Sequence, residues 1–154
     1  MKKAIGAGVG FGIGSGIVTT LGLMIGLAVS TSQKDIVING VLIIAILDAL
    51  SDSFGMHISQ ESNKIIKERD VWRSTFSTFV FKFIVAISFL LPVIFFSLNV
   101  ALIVSIIWGV LLLSFFSIYM ANIRDVSVKA VVFEHLFLLL LVVFVTFFIG
   151  KLLG

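Results

Sequence analysis

Five long apolar runs constrain this sequence more than any other feature. A helix needs about 20 predominantly apolar residues to cross the hydrocarbon core of a bilayer. The runs cover residues 4–29, 36–56, 76–98, 100–121 and 131–153, and short polar connections separate them. No connection is long enough to form a second domain. The pattern therefore predicts an all-α membrane protein, with residues 1–154 forming a single domain of five transmembrane helices.

The composition supports a chain solvated by lipid. Apolar residues make up 60% of the chain and charged residues only 12%, whereas soluble domains carry about 25% charged residues. The net charge is only +3, and the basic residues lie between the apolar runs, which argues against nucleic-acid binding. We therefore expect an integral membrane protein whose main partner is the bilayer. The small size and the lack of organellar signals favour a prokaryotic cell membrane.

The distribution of basic residues predicts the orientation. Cytoplasmic connections of membrane proteins carry an excess of Lys and Arg. Lys34 and Lys151 fall on one side of the predicted membrane, and Lys82 lies inside the third run. The other eight of the 11 basic residues fall on the opposite side: Lys2, Lys3, Lys64, Lys67, Arg69, Arg73, Arg124 and Lys129. The N-terminus is therefore expected in the cytoplasm and the C-terminus outside.

The first run is rich in glycine. Glycines four residues apart share one helix face and allow two helix backbones to approach closely. Two such rows are present, Gly6/Gly10/Gly14 and Gly8/Gly12/Gly16. The rows indicate either tight packing within one subunit or a close contact near a two-fold axis of a homodimer, with room for an ion path.

The second run carries two acidic residues inside the predicted span. Asp48 and Asp52 are four residues apart and share a helix face, which Met56 continues. At a rise of about 1.5 Å per residue, Asp48 lies roughly 18 Å from Ile36, beyond the middle of the membrane. A carboxylate there costs several kcal/mol unless it is paired, protonated or bound to a cation. Such a pair suits a site that exchanges protons for a metal ion, and Met56 would favour a softer metal.

Other polar residues inside the spans admit a structural interpretation. Lys82 can pair with Asp52 or with Glu134 and hold helices together, or it can extend to the interface. His135 lies at a similar depth. For Lys82, Glu134 and His135 we favour structural roles and keep path-lining roles as the alternative. Pro92 is expected to kink the third helix.

No enzyme is indicated. The chain has no cysteine, which excludes disulfides, thiolate metal sites and cysteine nucleophiles. It shows no Ser–His–acid arrangement and no phosphate-binding loop. The glycines of the first run are wrongly spaced for a dinucleotide fingerprint, and no strand precedes them.

Four segments, in order along the chain, resemble the vacuolar iron transporter family. The sequence GSGIVTT in the first run is similar to that family's Asp-Gly-Ile-Val-Thr-Thr signature. The block ALSDSFGMHIS in the second run, followed by Glu61 and Ser62, is similar to its Ala-x-Ser-Met-x-x-Gly-x-Tyr-x-Ser block. FLLP in the third run and VTFFIG near the end resemble its proline-bearing helix and its closing Val-Thr-Tyr-x-Ile-Gly pattern.

The resemblance implies a homodimer whose first helices line a central path, with ferrous or manganous ions leaving the cytoplasm in exchange for protons. Departures from the family pattern concern the acidic residues. Ser15 replaces the family's first-helix aspartate, Ile44 aligns with a second-helix carboxylate, and Asp52 replaces a methionine. Asp48 stands where the family has a small residue. The connection 57–75 is too short for the family's cytoplasmic metal-capturing helices.

The leading hypothesis is a homodimeric transporter of divalent metal ions, of the Fe²⁺/Mn²⁺ class, acting by proton antiport. Asp48 and Asp52 would bind the metal with Met56, and Ser15 and Thr19 would be secondary ligands or path-lining groups. We expect no resident cofactor, because the metal is the transported substrate. The alternatives are a non-transporting membrane scaffold or partner subunit with the same fold, and a carrier of another cation or a small polar solute.

Overall fold

The computed structural model describes the backbone of residues 2–154 and the side chains from Ala4 onward, so the predicted positions of the Lys2 and Lys3 side chains lie outside the described part. All regular elements of this part are helices. They are α1 (Lys2–Thr31), α2 (Lys34–Glu61), α3 (Glu68–Ser88), α4 (Leu90–Phe95), α5 (Leu98–Arg124) and α6 (Val128–Leu153).

Five helical segments of the described chain are long and apolar enough to cross a membrane, with α3 and α4 together forming the span Glu68–Phe95. The predicted all-α membrane architecture with five spans is therefore confirmed. The helices extend beyond the predicted apolar runs at most of their ends. With 28 residues, α2 is roughly 42 Å long, which exceeds a hydrocarbon core of about 30 Å. Its polar last turns can therefore reach the headgroup region.

The turn between the third and fourth spans lies earlier than predicted. We expected it at Leu98 and Asn99, but Phe96 and Ser97 have extended backbone and α5 begins at Leu98. Ser97 takes the N-cap position, without a capping hydrogen bond from its side chain. Leu98 continues an apolar helical pattern, so it belongs to the helix.

The third span breaks three residues before its proline. Pro92 has no N–H to donate to the carbonyl of Ser88, and its ring crowds that carbonyl. The Phe89 N–H instead bonds to the Ala86 carbonyl at 3.2 Å, and Phe89 separates α3 from α4. The helix is thus interrupted at Phe89, close to the position where the kink was predicted. The Nε1 of Trp108 on α5 donates to the Ser88 hydroxyl at 3.1 Å beside the break.

Helix α1 lies at the centre of the bundle. It packs on α2 and α3 on one side and on α5 and α6 on the other, whereas α4 packs mainly on α5. The α1 residues Ile17, Leu21 and Met24 are fully buried in the core. At the end of the bundle where α2 and α5 begin, Lys34 donates to the carbonyls of Ile94 and Phe96 at 3.0 and 3.1 Å. Lys34 therefore provides hydrogen bonds to carbonyl groups at the C-terminal end of α4.

The two glycine rows of α1 have different neighbours. A Cβ added at Gly12 would lie 2.7 Å from the Thr78 carbonyl oxygen, and one at Gly8 would overlap Ser74 and Ser77 of α3. A Cβ at Gly6 or Gly14 would have no neighbour within 4 Å. The Gly8/Gly12/Gly16 row therefore packs tightly within one subunit, which was the first of the two predicted interpretations. The Gly6/Gly10/Gly14 row lies largely on an open face.

Candidate functional site

The predicted acids of the second span meet a buried lysine. Lys82 of α3 is only 1% exposed, and its Nζ lies 2.7 Å from Oδ2 of Asp48. The same ammonium forms a salt bridge with Oδ2 of Asp52. The predicted Asp52–Lys82 ion pair is confirmed, and Asp48 joins it. The prediction that Lys82 extends to the interface is wrong, because its ammonium points into the bundle.

Ser15 of α1 completes the group. Its hydroxyl donates to Oδ2 of Asp52 at 2.6 Å and accepts a hydrogen bond from Nζ of Lys82 at 2.9 Å. Side chains from three helices thus converge on one ammonium group. We call Ser15, Asp48, Asp52 and Lys82 the polar cluster.

The two carboxylates of the polar cluster are not equivalent. Oδ2 of Asp52 accepts hydrogen bonds from both Ser15 and Lys82. Oδ2 of Asp48 is buried and lies 2.7 Å from the ammonium, but no donor meets it with hydrogen-bond geometry. Asp48 is therefore held mainly by its charge interaction with Lys82, in a less favourable geometry than Asp52.

The glycines of α1 allow the lysine to be buried. A Cβ at Gly12 would lie 3.1 Å from the backbone nitrogen of Lys82, and one at Gly16 would lie 3.3 Å from its Cγ. Without side chains at these positions, α1 approaches α3 closely enough to cover the aliphatic stem of Lys82. The glycine row therefore places the Lys82 ammonium within hydrogen-bonding distance of Ser15.

The charges of the polar cluster do not cancel. It contains two carboxylates and one ammonium, and the salt bridges among described side chains bring no second cation to the aspartates. The side chains of Asp48 and Asp52 are 24% and 21% exposed. With all three groups ionised, the cluster carries one uncompensated negative charge inside a membrane span. Such a charge is costly unless a proton or a cation balances it.

Ser15 also borders a cavity on the side of α1 that faces away from α2 and α3. This cavity, of about 350 Å³, lies between α1, α5 and α6 and is lined by Gly10, Gly14, Ser15 and His135, among others. A second cavity of about 510 Å³ runs from Thr19 and Gly22 towards the other end of α1 and reaches Gly150. Val18 borders both cavities. The face of α1 that carries Ser15 and Thr19 thus borders a cavity along much of its length.

His135 is oriented within the first cavity by a serine of α5. The Ser117 hydroxyl donates to the Leu113 carbonyl at 2.5 Å and lies 2.8 Å from Nδ1 of His135. We infer that the hydroxyl proton stays on Leu113, so that a neutral imidazole donates from Nδ1 to Ser117. The lone pair then resides on Nε2, which no described residue hydrogen-bonds.

Other predicted residues stay outside the polar cluster. The Thr19 hydroxyl donates to the Ser15 carbonyl at 2.9 Å and so stays on its own helix. Met56 is half-buried one turn beyond Asp52, without a hydrogen bond to the cluster. Glu134 is exposed on α6 and forms no salt bridge with Lys82. The alternative Glu134–Lys82 pair is therefore wrong.

The donor set gives limited support for a metal site. The described residues contain no group of three or more His, Cys, Asp and Glu side chains that could hold a metal ion. Lys82 occupies the position between the carboxylates that a metal ion would take. The predicted metal ligands Asp48, Asp52 and Met56 therefore require Lys82 to withdraw, and they stay a prediction.

Two parts of the site did not follow from our sequence analysis. Ser117 was not recognised as the partner of His135, although it lies on the buried face of α5 with Leu113 and Ala121 at four-residue intervals. The small polar face of α3 was also missed. Its spacing, with Ser74, Ser77, Thr78 and Lys82 at one helix face, was the available signal.

Comparison with known proteins identifies no relative. No protein-family model matches the chain, and neither the curated proteins nor the solved structures contain a significant match. The resemblance to the vacuolar iron transporter family therefore stays a prediction.

Proposed function

We propose that this protein is a proton-coupled cation carrier of the membrane, with the polar cluster as its exchange site and divalent metal ions of the Fe²⁺/Mn²⁺ class as its substrate. One observation carries the proposal. Two carboxylates share a single buried ammonium inside a membrane span, so the cluster has a negative charge left to balance. Asp48 contributes the oxygen without a hydrogen bond, and Asp52 with Ser15 holds Lys82 in place.

Charge balance connects the cluster to exchange. With Lys82 charged and one proton on the carboxylates, the cluster is neutral. With Lys82 neutral and a divalent ion between the carboxylates, it is neutral again. The two states differ by one metal ion against about two protons, and neutral states are the ones a low-dielectric site favours. A monovalent cation would instead balance the cluster against about one proton with Lys82 still charged.

The cavities along α1 supply a route to the site. One borders Ser15 and His135, and the other continues past Thr19. The open glycine row with Gly6 and Gly14 is a suitable surface for a second α1. In the proposed homodimer the two first helices meet there and enclose the route, and metal leaves the cytoplasm as protons enter.

Reconstituted vesicles test the proposal directly. We would follow Fe²⁺ or Mn²⁺ and internal pH at the same time in vesicles carrying the parent protein, Asp48→Asn or Asp52→Asn. We expect metal movement with about two protons returned per ion in the parent, and a loss of both signals in the two variants. Glu134→Gln is the matched control, because Glu134 is an acid of the spans outside the polar cluster. It should keep coupled flux.

The proton count decides the substrate class. A ratio near one proton with Na⁺ or K⁺, and no metal movement, would replace the divalent substrate by a monovalent one. Flux that persists unchanged in both aspartate variants would contradict the assignment of the exchange site.

A non-transporting scaffold is the second candidate, and the ion pairs of Lys82 favour it. The lysine is almost fully buried and contacts both carboxylates. In this alternative, the arrangement has no other role than to hold α1, α2 and α3 together. This alternative predicts no flux in the parent for either ion class, together with a loss of thermal stability in the aspartate variants.

A further inference from the structure

The first turns of α3 present a basic and aromatic stripe on the surface. Arg69, Trp72, Arg73 and Phe76 follow one another at intervals of three, one and three residues, which places them on one helix face. Trp72 is 58% exposed and Phe76 is 70% exposed. Large aromatic residues with arginines at a helix end are typical of the membrane–water interface, where one part of the surface is wet and the other apolar.

A cavity of about 560 Å³ lies beside this stripe, between the start of α1 and α3. Both arginines and Trp72 line its wet end, and Phe76, Val80 and Phe81 line it further into the span. Where α1 and α3 meet beside it, the Ser77 hydroxyl donates to the Ile5 carbonyl at 3.4 Å. The surface of the cavity is almost entirely apolar, and the two arginines lie at the end where α3 begins.

The side chains of the two arginines differ in their hydrogen bonds. Arg73 donates to Oδ1 of Asp70 at 2.9 Å, which orients its guanidinium on the surface of α3. Arg69 is exposed and donates no hydrogen bond to another described residue. Both lie within the first two turns of α3, which also carry the acidic residues Glu68 and Asp70. Arg73 is thus engaged by Asp70, and Arg69 is the cation at this end of the cavity that is available to a phosphate.

We propose that this cavity is a binding site for one anionic phospholipid of the membrane leaflet that faces the start of α3. Its phosphate binds between Arg69 and Arg73, and an acyl chain runs along Phe76, Val80 and Phe81. The two arginines select for net negative charge, because a zwitterionic headgroup places its own cation beside them. This site is separate from the polar cluster and does not depend on the proposed transport.

Trp72 is a built-in reporter for this site. The chain contains two tryptophans, so Trp108→Phe leaves Trp72 as the only one. We would reconstitute this variant in phosphatidylcholine and replace part of the lipid with acyl-brominated phosphatidylglycerol or acyl-brominated phosphatidylcholine. We expect Trp72 to be quenched at a several-fold lower mole fraction of the anionic lipid, since each basic residue near the surface contributes about fivefold to its binding.

Variants separate a specific site from general attraction to charge. Arg69→Gln/Arg73→Gln should abolish the preference, and Arg69→Lys/Arg73→Lys should keep most of it. Arg124→Gln/Lys129→Gln, which removes two charges at the same end of the bundle, should leave it unchanged. Equal quenching by both lipids in the single-tryptophan protein would overturn the proposal. So would a preference that survives in the Gln pair or disappears equally in the control pair.

Discussion

Lys82 connects three helices through one ammonium group, which contacts Asp48 and Asp52 of α2 and donates to Ser15 of α1. Ion pairs in such surroundings add little net stability compared with apolar packing, but removing one partner leaves an unbalanced charge. The consequences of substituting single residues therefore depend on which charge is left behind.

Lys82→Met is expected to destabilise the protein by about 3–5 kcal/mol, because it leaves two carboxylates inside the span without their cation. The triple variant Lys82→Met/Asp48→Asn/Asp52→Asn should recover much of this loss, since it removes the charges together. Thermal unfolding in detergent measures both. A Lys82→Met protein as stable as the parent would show that the lysine is not needed to balance the acids.

Asp52→Asn should cost more stability than Asp48→Asn. Asp52 accepts hydrogen bonds from both Ser15 and Lys82, whereas Oδ2 of Asp48 accepts none. Because hydrogen bonds to charged groups contribute about 1.5–3 kcal/mol, we expect a difference of roughly that size between the variants in chemical or thermal unfolding. The reverse order would contradict the asymmetry of the two carboxylates.

The orientation of His135 predicts one tautomer. In the neutral ring, Nδ1 should carry the proton and bond to Ser117, with Nε2 as the acceptor. Nitrogen NMR of the detergent-solubilised protein distinguishes the tautomers, and His57→Gln removes the signals of the only other histidine. Ser117→Ala should mix the two forms. A ring protonated on Nε2 in the parent would rule out the orientation.

At the scale of elements, the glycine row of α1 and the small polar face of α3 form the closest helix contact of the site. Side chains are absent from Gly8, Gly12 and Gly16 where α3 brings Ser74, Ser77 and Thr78 against them. The same approach buries the stem of Lys82. The position of the Lys82 ammonium therefore depends on how closely α1 packs on α3.

Gly12→Ala and Gly14→Ala form a matched pair for this contact. A methyl at Gly12 would lie 2.7 Å from the Thr78 carbonyl, so the helices must separate, at a cost of about 1–3 kcal/mol. A methyl at Gly14 has no neighbour within 4 Å, and the alanine should gain up to about 1 kcal/mol from helix propensity. Unfolding measurements on the monomeric chain in detergent decide between them. Equal effects would contradict the packing.

The two ends of the bundle differ in their number of basic residues. The turns between α2 and α3 and between α5 and α6 lie at one end, which carries Lys64, Lys67, Arg69, Arg73, Arg124 and Lys129. The turns after α1 and α4 lie at the other end, with Lys34. The excess of basic residues predicts that the first end is cytoplasmic.

Single cysteines test this orientation, because the chain has none of its own. Ile65 is 90% exposed in the turn before α3, and Ser97 is exposed at the start of α5. In intact cells, an impermeant thiol reagent should label Ser97→Cys and spare Ile65→Cys. After permeabilisation both should react. Labelling of Ile65→Cys in intact cells would reverse the predicted orientation.

The five spans could be predicted from the sequence because lipid imposes length and apolarity on each helix separately, without reference to its neighbours. The break at Phe89, before Pro92, followed in the same way from the missing N–H of the proline. The pairing of Asp48 and Asp52 on one face also needed only helical periodicity. These are local properties of single segments.

Tertiary structure alone decided which cation meets the two acids. Lys82 is 30 residues from Asp52 along the chain, and its choice between Asp52, Glu134 and the interface depends on how α1, α2 and α3 pack. The same holds for Ser117 and His135, and for which glycine row contacts α3. Spacing along a helix determines which residues share a face, but it contains no information on which face of another helix that surface will meet.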